Sequence, residues 1–140
     1  MATVRTTYLG NLRTEAEHLQ SGNKIITDAP IDNHGRGEFF SPTDLFAASY
    51  AGCALTIIGI ATQAHAFNID GTVVETTKVM GENPRRIVEL ILHFKFPHNN
   101  YTEKELRLIE GAINACPVAN SVSPEIKITR TMSFGGNERG

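Results

Sequence analysis

Residues 41–60 read SPTDLFAASYAGCALTIIGI, a helix start signal followed by a long apolar run. Ser41 and Asp44 have the spacing of a capping box, and the proline after Ser41 is favoured in the first turn of a helix. From Leu45 to Thr62 no residue is charged, which a helix tolerates only where nearly all of its faces are covered. The pattern therefore predicts a long buried helix with Cys53 at its middle.

The chain has 140 residues, and we interpret residues 1–140 as one domain large enough to bury a core. A net charge of -2 without a run of Lys and Arg gives no field that would attract nucleic acid or an anionic membrane. The first seven residues lack the apolar segment of a secretory signal. We therefore expect a cytoplasmic protein that binds no nucleic acid.

The charge-free run is near the lower length limit for a membrane span. It mixes Ser, Thr, Gly and many Ala with the apolar residues, and no Lys or Arg anchors its end. A buried helix explains it better than a membrane span does. Because one short chain cannot easily cover all sides of such a helix, a homodimer is expected.

We predict that the helix ends at His65 or Phe67. The remaining sequence predicts strands both before and after it. The first thirty residues predict a three-stranded antiparallel meander whose third strand is residues 24–27. The loop at residues 29–40 is long for a compact domain, and loops of this length often have a function. After the helix we predict strands at 71–80 and 86–96, an amphipathic helix from Thr102 to about Ala115, a strand at 125–134 and a frayed tail at 135–140. The order β-β-β-α-β-β-α-β makes an α+β fold, in which we expect antiparallel sheets around the long buried helix.

The two cysteines are the residues most open to chemistry. They lie 63 positions apart without a Cys-x-x-Cys motif, and the five histidines are scattered, so neither a metal site nor a cofactor is expected. Cys53 is either a small core residue or a thiolate that needs a cationic partner. Cys116 precedes Pro117 at the start of a helical turn, where unpaired amides would favour its thiolate, although simple packing explains it equally well. A third possibility is a reactive thiol and its resolving partner.

Two segments resemble a known family. SPTDLFAASYAGC at 41–53 and CPVANSVS at 116–123 are similar to the signature segments of the OsmC/Ohr family of thiol-dependent peroxidases, and the predicted order of elements is similar to that family's fold. The resemblance implies that Cys53 attacks the peroxide and that Cys116 resolves the sulfenic acid as a disulfide. It also implies an intertwined homodimer with central helices packed together, organic hydroperoxide substrates, and a dithiol reductant such as a lipoylated protein.

The sequence departs from the family at the charged partners of the thiolate. Peroxidase members pair the thiolate with an arginine from the first hairpin, held by a glutamate ten positions before the cysteine. That position is Thr43 here, and Asp44 follows it, where it either caps the helix with Ser41 or holds an arginine. Arg13 matches the family arginine best, and Arg36 in the long loop is a second candidate.

Three functions remain open at this stage. The leading hypothesis is a peroxidase that uses Cys53, Cys116 and Arg13. The Thr43 departure favours a binding protein of the same fold that holds a small apolar ligand. A redox sensor that joins Cys53 to Cys116 without efficient turnover is the third.

Overall fold

The computed structural model describes residues 1–139, which divide into two compact units, Met1–Phe46 and the chain from Ala47 onward. The first unit contains an antiparallel sheet in the order β1 (Val4–Gly10), β2 (Arg13–His18) and β3 (Lys24–Asp28). The predicted meander is thus confirmed. The third strand runs one residue further than predicted, and this residue, Asp28, pairs directly with Arg13 across the sheet.

The loop after β3 folds back against the end of that strand. A short 3₁₀ helix occupies Ile31–Asn33 where no regular structure was predicted. A Cβ atom on Gly35 would lie 1.7 Å from the carbonyl oxygen of Ala29, so this close approach requires glycine. The N–H of Asp28 donates to the carbonyl oxygen of Phe40 at 3.1 Å, which brings the far end of the loop back to the strand.

Helix α1 (Pro42–Gln63) begins with the predicted capping box. The N–H of Asp44 donates to Oγ of Ser41 at 3.1 Å, and the N–H of Ser41 donates to Oδ2 of Asp44 at 2.9 Å. At the other end, the N–H of Phe67 reaches back to the carbonyl oxygen of Thr62, and Ala66 has a positive φ of 60°. This is a Schellman closure, and it ends the helix close to the predicted position.

Only one face of α1 is buried, as expected of a helix that one short chain cannot cover on all sides. The buried face consists of Ala47, Tyr50, Ala51, Ala54, Ile58 and Thr62. The opposite face is exposed and carries four residues at a spacing of four, Ala48, Gly52, Thr56 and Ile60. With a mean hydropathy of 1.7 over its most apolar window, α1 also has the length and composition of a membrane span, a property shared by core helices of soluble proteins.

The second unit contains a mixed sheet in the order β4 (Val73–Gly81), β5 (Arg86–Phe96), β6 (Lys127–Phe134) and β7 (Asn137–Arg139). Strands β5 and β6 pair in parallel, because helix α2 (Glu103–Ile113) connects them and returns the chain in the same direction. Strand β7 occupies half of the tail that was predicted to fray, and Gly140 lies outside the described residues.

The core of the second unit uses the predicted face of β5. Leu90, Leu92 and Phe94 are fully buried, and helix α2 starts with the predicted capping box between Thr102 and Glu105. Aromatic rings close one end of this core, where Phe96 stacks on Phe134 at 4.6 Å between ring centroids. The α+β class and the order of the predicted elements are therefore confirmed.

Candidate functional site

The structure brings the two cysteines together. Cys53 lies three turns into α1 and is partly exposed, whereas Cys116 follows α2 and is completely buried. The Cys116 thiol lies close enough to Cys53 for the two side chains to interact, and this interaction contributes to raising the pKa of Cys116. No disulfide joins them, and both are free thiols. Neighbouring thiols, one accessible and one enclosed, are the arrangement that a reactive thiol and its resolving partner need.

Cys116 differs electrostatically from the sequence expectation. The N–H of Ala119 donates to its Sγ at 3.5 Å, as the predicted helical turn requires. That bond and the N–H of Val118 lower the pKa of Cys116, but burial is the largest cause and, with the effect of the neighbouring Cys53, leaves the pKa raised. Cys116 is thus held as a neutral thiol at neutral pH, because desolvation outweighs the favourable amides.

Tyr50 is a further member of the thiol surroundings that sequence reasoning did not single out. It lies three residues before Cys53 on the same helix and is 5 % exposed. Burial raises its pKa, and the electrostatic effects of Cys116 and Cys53 raise it further, while Arg130 lowers it. The spacing of three on a helix was the available signal, since it puts Tyr50 and Cys53 on neighbouring positions of one surface.

Arg13 lies at the start of β2 in the first unit, where a buried carboxylate holds it. Its Nε and Nη2 donate to the two carboxylate oxygens of Asp28 at 2.7 and 2.9 Å. Nη2 also donates to Oε1 of Glu38 at 2.7 Å, and the guanidinium carbon lies 4.9 Å from the ring centroid of Phe39. Such a fork is the strongest geometry available to an arginine and a carboxylate, and it fixes the guanidinium plane.

Asp28 and Glu38 are the carboxylates that sequence reasoning missed. The side-chain hydrogen bond from Arg13 is the main cause that lowers the pKa of Asp28, with burial acting in the opposite sense. The register of the predicted β2–β3 hairpin was the signal for Asp28, because it makes Arg13 and Asp28 cross-strand neighbours. No comparable signal pointed to Glu38, which the folded loop brings to Arg13.

The other predicted site residues lie elsewhere in the first unit. Asp44 bonds the N–H of Ser41 in the capping box, and Oγ1 of Thr43 lies 3.2 Å from Oγ of Ser41. Arg36 is exposed, and its charge contributes to lowering the pKa of Asp28. Among residues 1–139, no group of three or more His, Cys, Asp or Glu side chains could hold a metal ion.

Comparison with known proteins places this geometry in context. The family model described as OsmC-like protein matches residues 35–131, more than half of the chain. A search of proteins with curated function gave no match.

Solved structures share the fold over nearly the full length. A crystal structure of a Psychrobacter arcticus 273-4 protein, named for an osmotic stress induced and detoxification response, is 47 % identical, covers 95 % of this chain and 96 % of its own, and has a TM-score of 0.90. An organic hydroperoxide resistance protein, OsmC, from Legionella pneumophila is 19 % identical, with coverages of 96 % and 98 % and a TM-score of 0.74. An organic hydroperoxide resistance protein from Elizabethkingia anophelis is 22 % identical, with coverages of 96 % and 97 % and a TM-score of 0.73.

Proposed function

Because this chain belongs to the OsmC-like family, we propose that it is a thiol-dependent peroxidase that reduces organic hydroperoxides to alcohols. The observation that carries the proposal is that the Cys53 and Cys116 thiols of one chain lie close enough to interact. The names of the Legionella and Elizabethkingia structures, which refer to organic hydroperoxide resistance, support the substrate class.

The proposed cycle begins at Cys53, the more accessible of the two thiols. Its thiolate attacks the terminal oxygen of the hydroperoxide, the O–O bond breaks, and the alkoxide takes up a proton to leave as an alcohol. Cys53 is then a sulfenic acid. Cys116 loses its proton and attacks the Cys53 sulfur, which forms the disulfide and releases water before the sulfenic acid is oxidised further.

A dithiol closes the cycle by exchange with the disulfide, and we propose a lipoylated protein as one such reductant. No cofactor is needed, since the two cysteines carry both electrons. The apolar residues of α1 favour alkyl hydroperoxides over hydrogen peroxide, at about 0.8 kcal/mol for each CH₂ that the substrate buries.

Arg13 is the residue we propose to stabilise the Cys53 thiolate, in line with the family resemblance. Its guanidinium stays charged, because the hydrogen bond with Asp28 raises its pKa. We propose that Asp44 holds the first turn of α1 in place, and its two capping hydrogen bonds with Ser41 support this role.

The working form is proposed to be an intertwined homodimer in which both units belong to one OsmC-like domain. The exposed face of α1, Ala48 to Ile60, consists mostly of small side chains that allow a second helix to approach closely. Exposed apolar side chains of the first unit, including Tyr8, Leu9 and Phe40, support the same assembly. We expect this dimer in the cytoplasm, without contacts to membrane or nucleic acid.

The proposal is tested by counting thiols after the reduced protein meets cumene hydroperoxide. We expect both thiols to be lost in the wild type, one equivalent of cumyl alcohol to appear, and turnover to continue when a dithiol is supplied. Cys53→Ser should abolish alcohol formation, and Cys116→Ser should stop at a sulfenic acid that dimedone traps.

Retention of both thiols, or alcohol formation unaffected by Cys53→Ser, would refute the peroxidase. Oxidation of both thiols without turnover on any dithiol would favour the redox sensor. Glu17→Gln serves as the control for substitution of a carboxylate, since within residues 1–139 the Glu17 side chain makes a single long ion pair, at 3.9 Å, with the exposed Arg5.

A further inference from the structure

Tyr50 is a buried tyrosine next to the two thiols, and the proposed cycle does not use it. It lies on the buried face of α1, three residues before Cys53, and is 5 % exposed. Within residues 1–136, its hydroxyl makes no hydrogen bond to another side chain or to the backbone. Because buried polar groups in native proteins are nearly always bonded, a hydroxyl without a partner beside reactive groups indicates a role in their chemistry.

The hydroxyl end of Tyr50 is open to a further partner, although the rest of the side chain is enclosed. Among residues 1–136, Oγ1 of Thr76 is the only side-chain nitrogen or oxygen that is sealed off without a hydrogen bond. The unbonded oxygen of Tyr50 is therefore not sealed, and another group can reach it.

Tyr50 is held in its protonated form. Burial is the main cause that raises its pKa, and the electrostatic effects of Cys116 and Cys53 raise it further. An unperturbed tyrosine ionises at about pH 10, so Tyr50 stays a hydrogen-bond donor over the range in which thiols ionise. Cys116 has a larger effect on Tyr50 than Cys53 has. The hydroxyl is therefore coupled mainly to the proposed resolving thiol.

Cys116 needs such a donor when it ionises. It is fully buried, and the N–H of Ala119 donates to its sulfur at the long distance of 3.5 Å. Burial raises the pKa of Cys116 by more than the backbone amides lower it. A hydrogen bond from a neutral hydroxyl is about twice as strong when the acceptor carries a charge. A bond from Tyr50 would therefore favour the thiolate over the thiol.

A positive charge from the sheet acts on the same hydroxyl. Arg130 of β6 pairs with Leu92 of β5, a fully buried residue, so it starts from the inward face of the sheet. Its charge lowers the pKa of Tyr50, against the larger effect of burial. A nearby cation strengthens a hydroxyl as a donor to an anion. These groups all belong to the second unit, from Ala47 onward.

We infer that the Tyr50 hydroxyl donates a hydrogen bond to the Cys116 thiolate in the resolving step, which makes Tyr50 a further catalytic residue. This role rests on the proposed function, because it concerns the second step of that cycle. In that step the Cys116 sulfur supplies the electron pair of the S–S bond and the S–O bond of the Cys53 sulfenic acid breaks. The oxygen takes up the proton that Cys116 lost and leaves as water. Tyr50 keeps its own proton and stabilises the charge on Cys116.

The test follows Cys116 in a reaction that needs no peroxide. The aromatic disulfide DTNB reacts with the accessible Cys53 to give a mixed disulfide, and the Cys116 thiolate then attacks the Cys53 sulfur and expels a second thionitrobenzoate. The wild type should release two equivalents in two phases. Tyr50→Phe should slow the second phase about tenfold near pH 7, leave the first unchanged, and move the pH profile of the second up by about one unit.

Tyr101→Phe provides the matched control. Tyr101 is another buried tyrosine of the second unit, 8 % exposed, and its hydroxyl donates to the carbonyl oxygen of Asn68 at 3.3 Å. Burial is the main cause that raises its pKa, and no cysteine contributes. Both phases should keep their wild-type rates in this variant. Cys116→Ser should release a single equivalent, which identifies the second phase as the attack by Cys116.

A second variant covers the case in which Tyr50→Phe does not fold, as judged by circular dichroism. Arg130→Gln removes the charge that acts on Tyr50 and should slow the second phase alone, by about twofold because the arginine is exposed.

A second phase of Tyr50→Phe that runs at the wild-type rate, or a pH profile that does not move, overturns the inference. Equal slowing of both phases, or equal slowing by Tyr101→Phe, does the same, since it would reflect a general change in structure. Normal peroxide turnover with an unchanged second phase contradicts only the role of Tyr50. The expected slowing without any peroxide turnover contradicts only the peroxidase.

Discussion

Two features of its surroundings change the pKa of Cys116 in opposite directions: backbone amides lower it, and burial raises it. The sequence Cys116-Pro117 correctly indicated a turn whose amides point at the sulfur, and the N–H of Ala119 donates to it. Burial nevertheless raises the pKa of the thiol, because it removes the water that would solvate the thiolate. Local spacing predicts the amides, but only the packed core determines the balance. The same limit applies to Glu38, whose partner Arg13 lies 25 residues away.

The raised pKa of Cys116 predicts a pH-dependent second step. Because the reacting form is the thiolate, disulfide formation should accelerate about tenfold per pH unit from pH 6 towards the raised pKa, which lies above the ordinary thiol range. One equivalent of cumene hydroperoxide should therefore leave a sulfenic acid that dimedone traps near pH 6 and mainly disulfide near pH 9, as read by mass spectrometry. Cys116→Ser should give the dimedone adduct at both pH values. A rate of disulfide formation that does not change between them would contradict this account.

At the scale of secondary-structure elements, sequence patterns correctly predicted features that depend on residues close together in the chain. Both capping boxes formed at Ser41 and Thr102, since they involve neighbours within one turn. The parallel pairing of β5 and β6 was missed because it depends on where α2 lies, which no window of sequence contains. The chain alone leaves one face of α1 exposed, as expected, but the absence of charge does not tell which face the chain itself covers.

The exposed face of α1 predicts a specific sensitivity at Gly52. A Cβ atom there meets no atom within 4 Å, so the chain itself does not require glycine. If two copies pack along this face, Gly52→Leu should separate them and reduce the mass measured by light scattering from dimer towards monomer. Leucine is also a better helix former than glycine by about 0.8 kcal/mol, so a loss of assembly would not reflect a weaker helix.

Gly111 provides the matched control for this experiment. It lies in α2, is exposed, and likewise has no atom within 4 Å of a Cβ position. Gly111→Leu should leave the mass unchanged. Equal masses for the wild type and Gly52→Leu would show that α1 is not the dimer contact.

At the scale of the whole molecule, apolar side chains are distributed unevenly between the two units. Among residues 1–136, the buried apolar residues come from Ala47 onward, whereas nine of the eleven large exposed apolar residues lie in Met1–Phe46. A sheet of three strands gains little stability from an uncovered apolar surface. Its stability should therefore depend on what covers that surface, and the proposed second copy is the candidate.

This dependence predicts that thermal unfolding shifts with protein concentration. When unfolding also separates two chains, a tenfold increase in concentration stabilises the folded dimer by about 1.4 kcal/mol and raises Tm by about 3 °C. Scanning calorimetry over a hundredfold concentration range should thus show a rise of about 6 °C in the wild type. Gly52→Leu should show a smaller dependence, because its folded state is partly monomeric already, while Gly111→Leu should follow the wild type. A Tm that is constant over this range would contradict this account. It would mean that each chain folds alone and that the first unit, Met1–Phe46, is stable with its apolar side chains exposed to water.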